Sequence, residues 1–275
     1  MKLSEAVSIL KAAGICDAKR EARLIFSHFG SFSLAELVCG DVSSHNPRVS
    51  DAIARRAQRE PLQYVIGEVG FYNELYKISS DCLIPRSDTE LLVEYAARHV
   101  KEGDNLLDLC TGSGCVAIST LKNTKSTRAT AVDLSHGTLD LARENARLNG
   151  VYDRIDFIEG DACDVSVASS LGTFDAILSN PPYVSDSAYL TLEPEIFHEP
   201  KMAFVAGDDG ADFYRALTPI YKSHLNPDGF IAYEIGCDQK ELIMRIARDN
   251  GMSVEILYDL SSNPRVAVLK NISSR

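Results

Sequence analysis

The sequence predicts an α/β protein with an open, mostly parallel sheet of seven strands, preceded by a small bundle of helices. From Ser87 onward, short apolar runs alternate with amphipathic helical patterns, as expected for parallel strands joined by crossover helices. Before that point, the first sixty residues show helical periodicity only. The last two apolar runs are joined by "DLSSNP", which is too short for a crossover helix, so we expect an antiparallel C-terminal hairpin.

The helical bundle is predicted for residues 1–62. Ser33 with Glu36 has the spacing of a capping box, and Pro47 is suited to open a last helix. Apolar residues three or four positions apart mark the buried helix faces: Leu3, Val7 and Leu10, then Ala22, Ile25 and Phe29.

Three arginines lie close together near the end of this bundle. Arg55, Arg56 and Arg59 form a basic cluster on the last helix. A charge run of this kind is usually a solvated helix face, and we favour that interpretation over a docking surface. The stretch from Tyr64 to Ile84 alternates in polarity and contains two glycines, so residues 63–86 are predicted to be a β-hairpin linker.

The remaining residues, 87–275, form the predicted α/β domain. Ser87 and Glu90 have the spacing of a cap for a helix that ends near Val100. The seven strands are predicted at Asn105–Leu109, Ala129–Asp133, Asp156–Glu159, Ala176–Ser179, Phe230–Glu234, Val254–Tyr258 and Arg265–Leu269.

The composition excludes several classes of protein. The 275 residues carry a net charge of −11, and the acidic excess lies after residue 60, so clustered Lys and Arg for a nucleic-acid backbone are lacking. Seven scattered cysteines without a Cys-x-x-Cys pair predict neither disulfides nor a metal site, and reduced thiols suit a cytoplasmic location. The charged, helical N-terminal pattern predicts neither a signal peptide nor a membrane span.

A glycine-containing turn follows the first strand of the α/β domain. In "NLLDLCTGSGCVAIST", Gly112 and Gly114 allow a tight turn and a close approach of a ligand. Val116 and Ala117 stand where a dinucleotide loop has its third glycine, and no Gly-Lys-Ser/Thr is present. A dinucleotide and a nucleoside triphosphate are therefore disfavoured.

Acidic residues at three successive strand ends point to a cationic nucleoside. Asp133 suits a ribose diol, Asp161 with Ala162 suits an adenine, and Asp108 suits a positive charge. S-adenosylmethionine has all of these groups and no phosphate. Because ligands of such sheets lie at the carboxyl ends of the strands, the sequence predicts a methyl-donor site there.

The stretch "SNPPYV" ends the fourth strand of the domain at the same edge. The side-chain oxygen of Asn180 and the carbonyl of Pro181, fixed by Pro182, could accept the N–H groups of a planar amide or aromatic amine. Tyr183 could offer a flat face to such a group. Such a clamp would localise the nitrogen lone pair and aim it at the methyl carbon, with no general base required early.

These motifs resemble those of a known family. "NPPY" after "DLCTGSGC" is similar to class I, Rossmann-like methyltransferases that modify planar nitrogens. The segments "GEVGFYNELYKISSDCLIPRSDTELLVE", "EPKMAFVAGDDGADFYRAL" and "YEIGCDQ" resemble bacterial release-factor glutamine methyltransferases, the HemK/PrmC family. The resemblance is specific from about residue 61 onward. Two residues depart from the common pattern, namely Cys110 for a glycine and Ser87 for a proline.

The resemblance implies transfer of a methyl group to the glutamine of the Gly-Gly-Gln motif in class 1 peptide chain release factors. It implies a substrate-docking domain at residues 1–62 and S-adenosylhomocysteine as the product. The implied donor-binding residues are Asp108, Cys110, Thr111, Gly112, Ser113, Gly114, Asp133, Asp161, Ala162 and Asn180. The implied catalytic and substrate-binding residues are Asn180, Pro181, Pro182 and Tyr183.

Three alternatives stay open at this point. They are a ribosomal-protein glutamine methyltransferase, an adenine-amino DNA methyltransferase, and a donor-binding module without enzyme activity. We expect a monomer with no direct contact to nucleic acid or membrane. His198 and Glu199 are interpreted as a surface turn, and the loop 184–207 is a candidate lid over the substrate.

Overall fold

The structure, a computed structural model, describes residues 1–272 and consists of two compact units. The first unit comprises residues 1–68 together with 193–199, and the rest of the described chain forms the second. The first unit is therefore discontinuous in sequence. Among residues 1–272, no helix combines the length and the apolar character needed to span a lipid bilayer.

The helical unit contains five helices around its own core. The apolar side chains of Leu10, Ile25 and Ile53 are fully buried there. The predicted capping box is confirmed, because Glu36 N–H donates to Ser33 Oγ at 3.3 Å and Ser33 N–H donates to the Glu36 carboxylate at 2.9 Å. The helices are α1 Leu3–Ala12, α2 Ala18–Gly30, α3 Leu34–Cys39, α4 Pro47–Ala57 and α5 Leu62–Ile66.

The interpretation of the arginine cluster as a solvated helix face is wrong. The Arg56 side chain is only 7% exposed, and its guanidinium donates to Glu21 Oε2 at 2.6 Å and to Glu195 Oε1 at 3.0 Å. Arg59 donates to Glu195 Oε2 at 2.7 Å. Glu195 comes from a distant part of the chain, so its role as the partner of these arginines was not visible in the local pattern.

The linker begins later than the polarity pattern suggested. Tyr64 lies in helix α5, and Gly67, in the left-handed conformation with φ of 87°, ends that helix. The two strands of the hairpin are β1 Glu68–Phe71 and β2 Glu74–Lys77.

The second unit is built on a seven-stranded mixed sheet, which confirms the predicted fold class. The strands lie in the order β5-β4-β3-β6-β7-β9-β8, and the first five are parallel. β9 pairs antiparallel to β7 and to β8, so the predicted C-terminal hairpin is confirmed. The strands are β3 Asn105–Leu109, β4 Arg128–Asp133, β5 Ile155–Glu159, β6 Phe174–Ser179, β7 Leu225–Glu234, β8 Met252–Tyr258 and β9 Pro264–Asn271.

Helices cover both faces of this sheet. Leu92 and Ile118 are buried on one face, and Leu217 and Ile243 are buried on the other. The helices are α6 Glu90–His99, α7 Cys115–Lys122, α8 His136–Leu148, α9 Val165–Ser170, α10 Asp186–Tyr189, α11 Asp212–Tyr221 and α12 Lys240–Asp249.

The predicted cap at Ser87 is wrong. Residues Ser87–Thr89 form a turn of 3-10 helix, and the N-cap of α6 is Thr89, which already has helical backbone angles and no side-chain cap. The Glu90 carboxylate bonds to a different segment, since its Oε1 accepts the backbone N–H of Tyr72 at 2.8 Å. Helix α6 therefore continues from a 3-10 turn and does not begin at a serine N-cap.

The pairing of β3 with β6 sets the position of the loops that follow them. Leu109 is in register with Ser179, and the Ser179 hydroxyl donates to the Leu109 carbonyl at 2.7 Å. β4 lies on the other side of β3, so the order of the strands reverses at β3. Ligands of doubly wound sheets bind at such a reversal, beyond the carboxyl ends of the strands.

We expect Arg56→Met to destabilise the helical unit by about 3 kcal/mol, because Glu21 and Glu195 lose a largely buried partner. Hydrogen exchange of the amides in α2 and α4 measures this loss.

The same ion pairs should make stability depend on pH. Burial raises the pKa of Glu195, but hydrogen bonds from Arg59 and Arg56 outweigh burial, and the net shift of the pKa is downward. The ion-pair contribution is therefore present above the unfolded pKa, about 4.3, and disappears as the pH falls further.

The matched control is Arg55→Met on the same helix. Arg55 pairs with Glu60 but is 39% exposed, so we expect a loss of about 1 kcal/mol or less. Equal effects of the two substitutions would contradict the importance of the buried network.

Candidate active site

A cavity of about 250 Å³ lies at the carboxyl ends of the parallel strands. Most of its lining comes from the loops that follow β3, β4, β5 and β6, together with the segment before α6. The contributing residues lie within 81–89, 110–116, 133–138 and 160–163, and the others are Asn180, Pro182, Pro200, Met202, Ala203 and Phe213.

The loop after β3 forms one wall of the cavity in a conformation that needs unusual backbone angles. Cys110, Gly112 and Gly114 have φ values of 57°, 56° and 81°. A Cβ on Gly114 would lie 2.9 Å from Ile118 Cδ1 and 3.3 Å from Ala142 Cβ, so only glycine fits between α7 and α8. Cys110 adopts the left-handed conformation in spite of its side chain, a conformation that glycine adopts at lower cost.

Two acidic side chains lie along the cavity next to this loop. Asp133 accepts the Gly112 N–H at 2.9 Å on Oδ2 and the Ser135 N–H at 3.0 Å on Oδ1, and burial raises its pKa in spite of these bonds. Asp161 accepts the Cys163 N–H at 2.8 Å. Backbone bonds of this kind fix the direction in which each carboxylate faces.

Asp108 lies outside the cavity lining. Its Oδ2 accepts the Thr111 hydroxyl at 2.6 Å and the Ala117 N–H at 3.1 Å, so it holds the loop after β3 against the start of α7. Its Oδ1 is buried and has no hydrogen-bond partner among residues 1–272. Burial raises the pKa of Asp108 to about 7, with a smaller upward contribution from the Asp133 charge.

The structure places only part of the predicted amide clamp at the cavity. Asn180 and Pro182 line it, whereas Pro181 and Tyr183 do not. Asn180 Nδ2 donates to Thr89 Oγ1 at 3.1 Å. The Tyr183 hydroxyl donates to Glu234 Oε1 at 3.1 Å, and the Tyr183 carbonyl accepts Gln239 Nε2 at 2.9 Å.

Most of the residues predicted to bind the methyl donor line the cavity, and two of them do not. Cys110, Thr111, Gly112, Ser113, Asp133, Asp161 and Ala162 line the cavity, and Asp108 and Gly114 support it from behind. Their roles in binding a ligand stay predictions.

Several lining residues were missed in the sequence. Asp81, Cys82, Pro85 and Thr89 come from the connection between the hairpin and α6, a segment quoted above for its resemblance without a predicted role for these residues. Met202 comes from "EPKMAF", a stretch for which the sequence predicts no role at the site.

The loop 184–207 is anchored at its base. Val184 N–H donates to the Phe204 carbonyl at 2.7 Å, and Ala206 N–H donates to the Val184 carbonyl at 2.9 Å. Closure of this loop over a substrate stays a prediction. The surface-turn interpretation is wrong for Glu199, which is buried, while His198 is exposed; both belong to the segment 193–199 of the helical unit.

The charge of the residues that line the cavity indicates which class of ligand the cavity could bind. Its lining includes the carboxylates of Asp81, Asp133 and Asp161, and none of its lining residues is Lys or Arg. Phosphates would be repelled from such a cavity, whereas a cationic nucleoside is attracted. The residues present therefore fit S-adenosylmethionine, which carries a sulfonium and an ammonium group.

Comparison with solved structures defines the class of the fold. A ribosomal protein L11 methylase from Lactobacillus delbrueckii subsp. bulgaricus aligns with a TM-score of 0.50 and 23% identity over 68% of this chain and 80% of that chain. A methyltransferase from Pyrococcus furiosus aligns with a TM-score of 0.50 and 19% identity over 72% and 89%. Together with the matched sequence domain, Methyltransferase small domain at residues 86–207, the fold and the site define a class I methyltransferase.

Sequence comparison gives the particular family. The PrmC N-terminal domain matches residues 2–67. The release factor glutamine methyltransferase of Thermodesulfovibrio yellowstonii is 35% identical over 93% of this chain and 93% of its own length, and that of Cereibacter sphaeroides is 34% identical over 96% and 95%. The chain belongs to the release factor glutamine methyltransferase family. A match to the protein of that name from Fusobacterium nucleatum, 36% identical over 79% of this chain, spans only 62% of that relative.

We expect Gly114→Ala to lower the free energy of unfolding by about 3 kcal/mol, because strain at positive φ adds to overpacking against Ile118 and Ala142. Denaturant unfolding measures the change. Gly150→Ala is the control, since Gly150 has φ of 72° but open space around its Cβ position, and about 1 kcal/mol is expected there. Equal losses would show that close packing of α7 and α8 contributes nothing.

We expect Asp108→Asn to change how stability depends on pH. Burial raises the folded pKa of Asp108 to about 7, so the carboxyl is neutral below the unfolded pKa of about 4 and its burial then costs little stability. As the pH rises toward 7, the unfolded chain ionises more readily than the folded chain, and the free energy of unfolding falls. The stability of the variant relative to the wild type should therefore improve between these pH values. Asp156→Asn, at an exposed aspartate, should show no such trend, and a flat difference for Asp108→Asn would contradict the argument.

Proposed function

We propose that this chain methylates the side-chain amide nitrogen of the glutamine in the Gly-Gly-Gln motif of class 1 peptide chain release factors, with S-adenosylmethionine as the donor. The observation that carries the proposal is the orientation of Asn180 at the edge of an acidic cavity. Because its NH₂ group donates to Thr89, its Oδ1 is the side of the amide that is left to accept from a substrate N–H. Family membership supports the same substrate.

The chain's own residues would hold the donor as follows. Asp133, oriented by two backbone N–H groups, accepts from the ribose hydroxyls, and Asp161 with Ala162 borders the adenine. The loop from Cys110 to Ser113 approaches closely because of its left-handed residues. When bound, S-adenosylmethionine supplies an electrophilic methyl carbon on a sulfonium, and S-adenosylhomocysteine is the product.

A glutamine amide is a weak nucleophile because its nitrogen lone pair is delocalised into the carbonyl. Asn180 Oδ1 and the carbonyl of Pro181 would each accept one N–H and so hold the nitrogen in one orientation. Alignment of this kind contributes roughly 7–11 kcal/mol in favourable systems. A base is not required before methyl transfer, since the N–H proton becomes acidic once the nitrogen carries a positive charge.

The proposal extends to the rest of the chain. The helical unit of residues 1–68 with 193–199 would be the release-factor docking domain, and residues 87–275 the catalytic domain. The apolar side chains of Leu34 and Val38, one turn apart on α3, are exposed and could contact a protein partner. We also propose that the protein acts as a monomer in the cytoplasm, in translation termination.

Asn180→Ala should keep donor binding and reduce methyl transfer by about 100-fold or more, because one of the two acceptors that orient the amide is lost. Mass spectrometry of a release factor before and after incubation with enzyme and S-adenosylmethionine measures transfer, and calorimetry measures donor binding. Asn226→Ala, which removes an amide bonded to Asp175 at the far end of the sheet, is the control with normal activity.

The substrate itself provides the decisive comparison. A release factor with Gln→Ala in the Gly-Gly-Gln motif should gain no methyl group. Equal labelling of that variant, or preferential labelling of a ribosomal protein or of duplex DNA, would overturn the proposed substrate. Donor binding without transfer to any of them would favour a binding module.

A further inference from the structure

We propose that Gln239 is a positioning residue that holds the backbone of the predicted clamp, residues 180–183, at Tyr183. Through Tyr183 it fixes the direction in which the Pro181 carbonyl faces. This role rests on the proposed function, in which that carbonyl accepts a substrate N–H. Gln239 is not among the lining residues of the cavity, so it would contact neither the donor nor the amide that is methylated.

The two prolines of the clamp cannot be held by their own nitrogen atoms. Proline has no N–H, so neither Pro181 nor Pro182 can donate a hydrogen bond to a neighbouring element. Both residues are buried. The direction of their backbone therefore depends on the residues on either side of them. At one side, the Asn180 side chain donates to Thr89 Oγ1 at 3.1 Å.

At the other side, the main chain of Tyr183 is held by the side-chain amide of Gln239. This glutamine precedes α12 as its N-cap residue and is only 6% exposed. Its Nε2 donates to the Tyr183 carbonyl at 2.9 Å and to the Gly210 carbonyl at 3.1 Å. Its Oε1 accepts the Gly236 N–H at 2.9 Å. One buried amide thus joins the clamp to two other loops.

The orientation of the Gln239 amide is determined by these partners. A backbone carbonyl can only accept a hydrogen bond, and a backbone N–H can only donate one. A half-turn of the amide would place Oε1 against two carbonyls and Nε2 against the Gly236 N–H, so that all three bonds would be lost. Because the amide has one permitted orientation, both of its hydrogens are committed to the carbonyls of Tyr183 and Gly210.

Gly210 confines the same carbonyl by direct contact. A Cβ on Gly210, which has φ of 73°, would lie 2.3 Å from the Tyr183 carbonyl oxygen and 2.8 Å from Gln239 Nε2. The backbone of Gly210 therefore packs against the Tyr183 carbonyl with no room for a side chain. The Tyr183 hydroxyl is held separately, by Glu234 Oε1 at 3.1 Å.

Loss of the Gln239 donors should affect methyl transfer and spare donor binding. If the Tyr183 peptide is released, the Pro181 carbonyl is free to turn away from the substrate amide. The loops after β3, β4 and β5, which are predicted to hold the donor, make none of these contacts. A lower kcat with unchanged donor affinity is therefore the expected signature of Gln239.

Gln239→Glu tests this role, because it keeps the shape of the side chain and has at most one hydrogen to donate where the amide has two. We expect kcat to fall about tenfold or more, since misalignment of a reacting group is costly, while donor affinity measured by calorimetry stays unchanged. Asn250→Asp is the matched control at the opposite end of α12, where the amide donates only to the Ile246 carbonyl at 2.9 Å. It should keep wild-type kcat.

The same pair of variants separates positioning from a purely structural role in capping α12. Gln239→Glu retains the acceptor for the Gly236 N–H, and a carboxylate is favourable at the N-terminus of a helix and unfavourable at its C-terminus. If Gln239 only supported the helix, Gln239→Glu would keep wild-type kcat and Asn250→Asp would be the more damaged variant. Either result would overturn the proposed role.

Gly210→Ala displaces the Tyr183 carbonyl without changing Gln239. We expect a lower kcat from the folded fraction of this variant, again with unchanged donor affinity. Gly251→Ala is its control, since Gly251 has φ of 63° but its Cβ would meet only the end of the Lys222 side chain, at 3.7 Å. Equal kcat for the two variants would contradict the contact between Gly210 and the clamp.

A measurement without a release factor separates the role of Gln239 from the proposed function. Isotope labels on the tyrosine carbonyl carbons and the valine nitrogens select Tyr-Val peptide bonds, of which the sequence has two, at residues 64–65 and 183–184. The NMR signal of the Tyr183 carbonyl, assigned by its loss in Tyr183→Phe, should shift in Gln239→Glu and not in Asn250→Asp.

The two proposals then fail in different ways. If the wild type does not methylate a release factor but the Tyr183 signal shifts in Gln239→Glu, the proposed function fails and Gln239 still holds the backbone at Tyr183. If methylation occurs and the signal is unchanged in Gln239→Glu, the role of Gln239 fails alone.

Discussion

The parallel pairing of β3 with β6 is the constraint on which the site depends. Leu109 and Ser179 are in register, and a side-chain hydrogen bond reinforces the pair at the last residue of each strand. The chain therefore leaves the sheet at two adjacent points, once into the glycine-containing loop after β3 and once into Asn180, and both border the cavity. Any shift of this register by one residue would turn Asn180 to the other face of the sheet.

The site combines this geometry with an unusual distribution of charge. Asp108 and Glu234 are both buried, and burial raises the pKa of each to about 7. Both carboxylates lie behind the cavity rather than in it, where they hold a loop or a clamp residue in place. Asp133 and Asp161, which line the cavity, accept backbone hydrogen bonds instead, and the lining contains no Lys or Arg. The acidic residues that hold the backbone or a neighbouring side chain are thus different from those that line the cavity.

Much of the fold could be predicted because it depends on local patterns. Each of the seven strands has an apolar core flanked by turn residues, and the short "DLSSNP" connection left only a hairpin as a possibility. The boundaries of secondary-structure elements were predicted wrongly where one stretch of sequence fits two local patterns. At Tyr64 an alternating pattern concealed a short helix, and at Ser87 a capping spacing concealed a 3-10 turn.

Residues of the candidate site could be predicted where a single loop carries the motif. They were missed where their position in the site depends on contacts between distant parts of the chain. The donor loop and Asn180 follow strand ends, which a sequence shows directly. Thr89 and Glu234 lie in quoted stretches, but the sequence assigns them no partner, and their hydrogen bonds to Asn180 and Tyr183 arise only from contacts between distant parts of the chain. The burial of Arg56 was missed for the same reason, since its partner Glu195 is 139 positions away.

The discontinuity of the helical unit has a consequence for exchanging domains between relatives. The chain passes between the two units three times, near residues 68, 192 and 199, rather than once. A chimera that takes only the first 68 residues from another protein would pair foreign helices with a native Glu195. Recombination at this boundary is therefore expected to succeed only when the segment 193–199 is inherited together with the helices that it contacts.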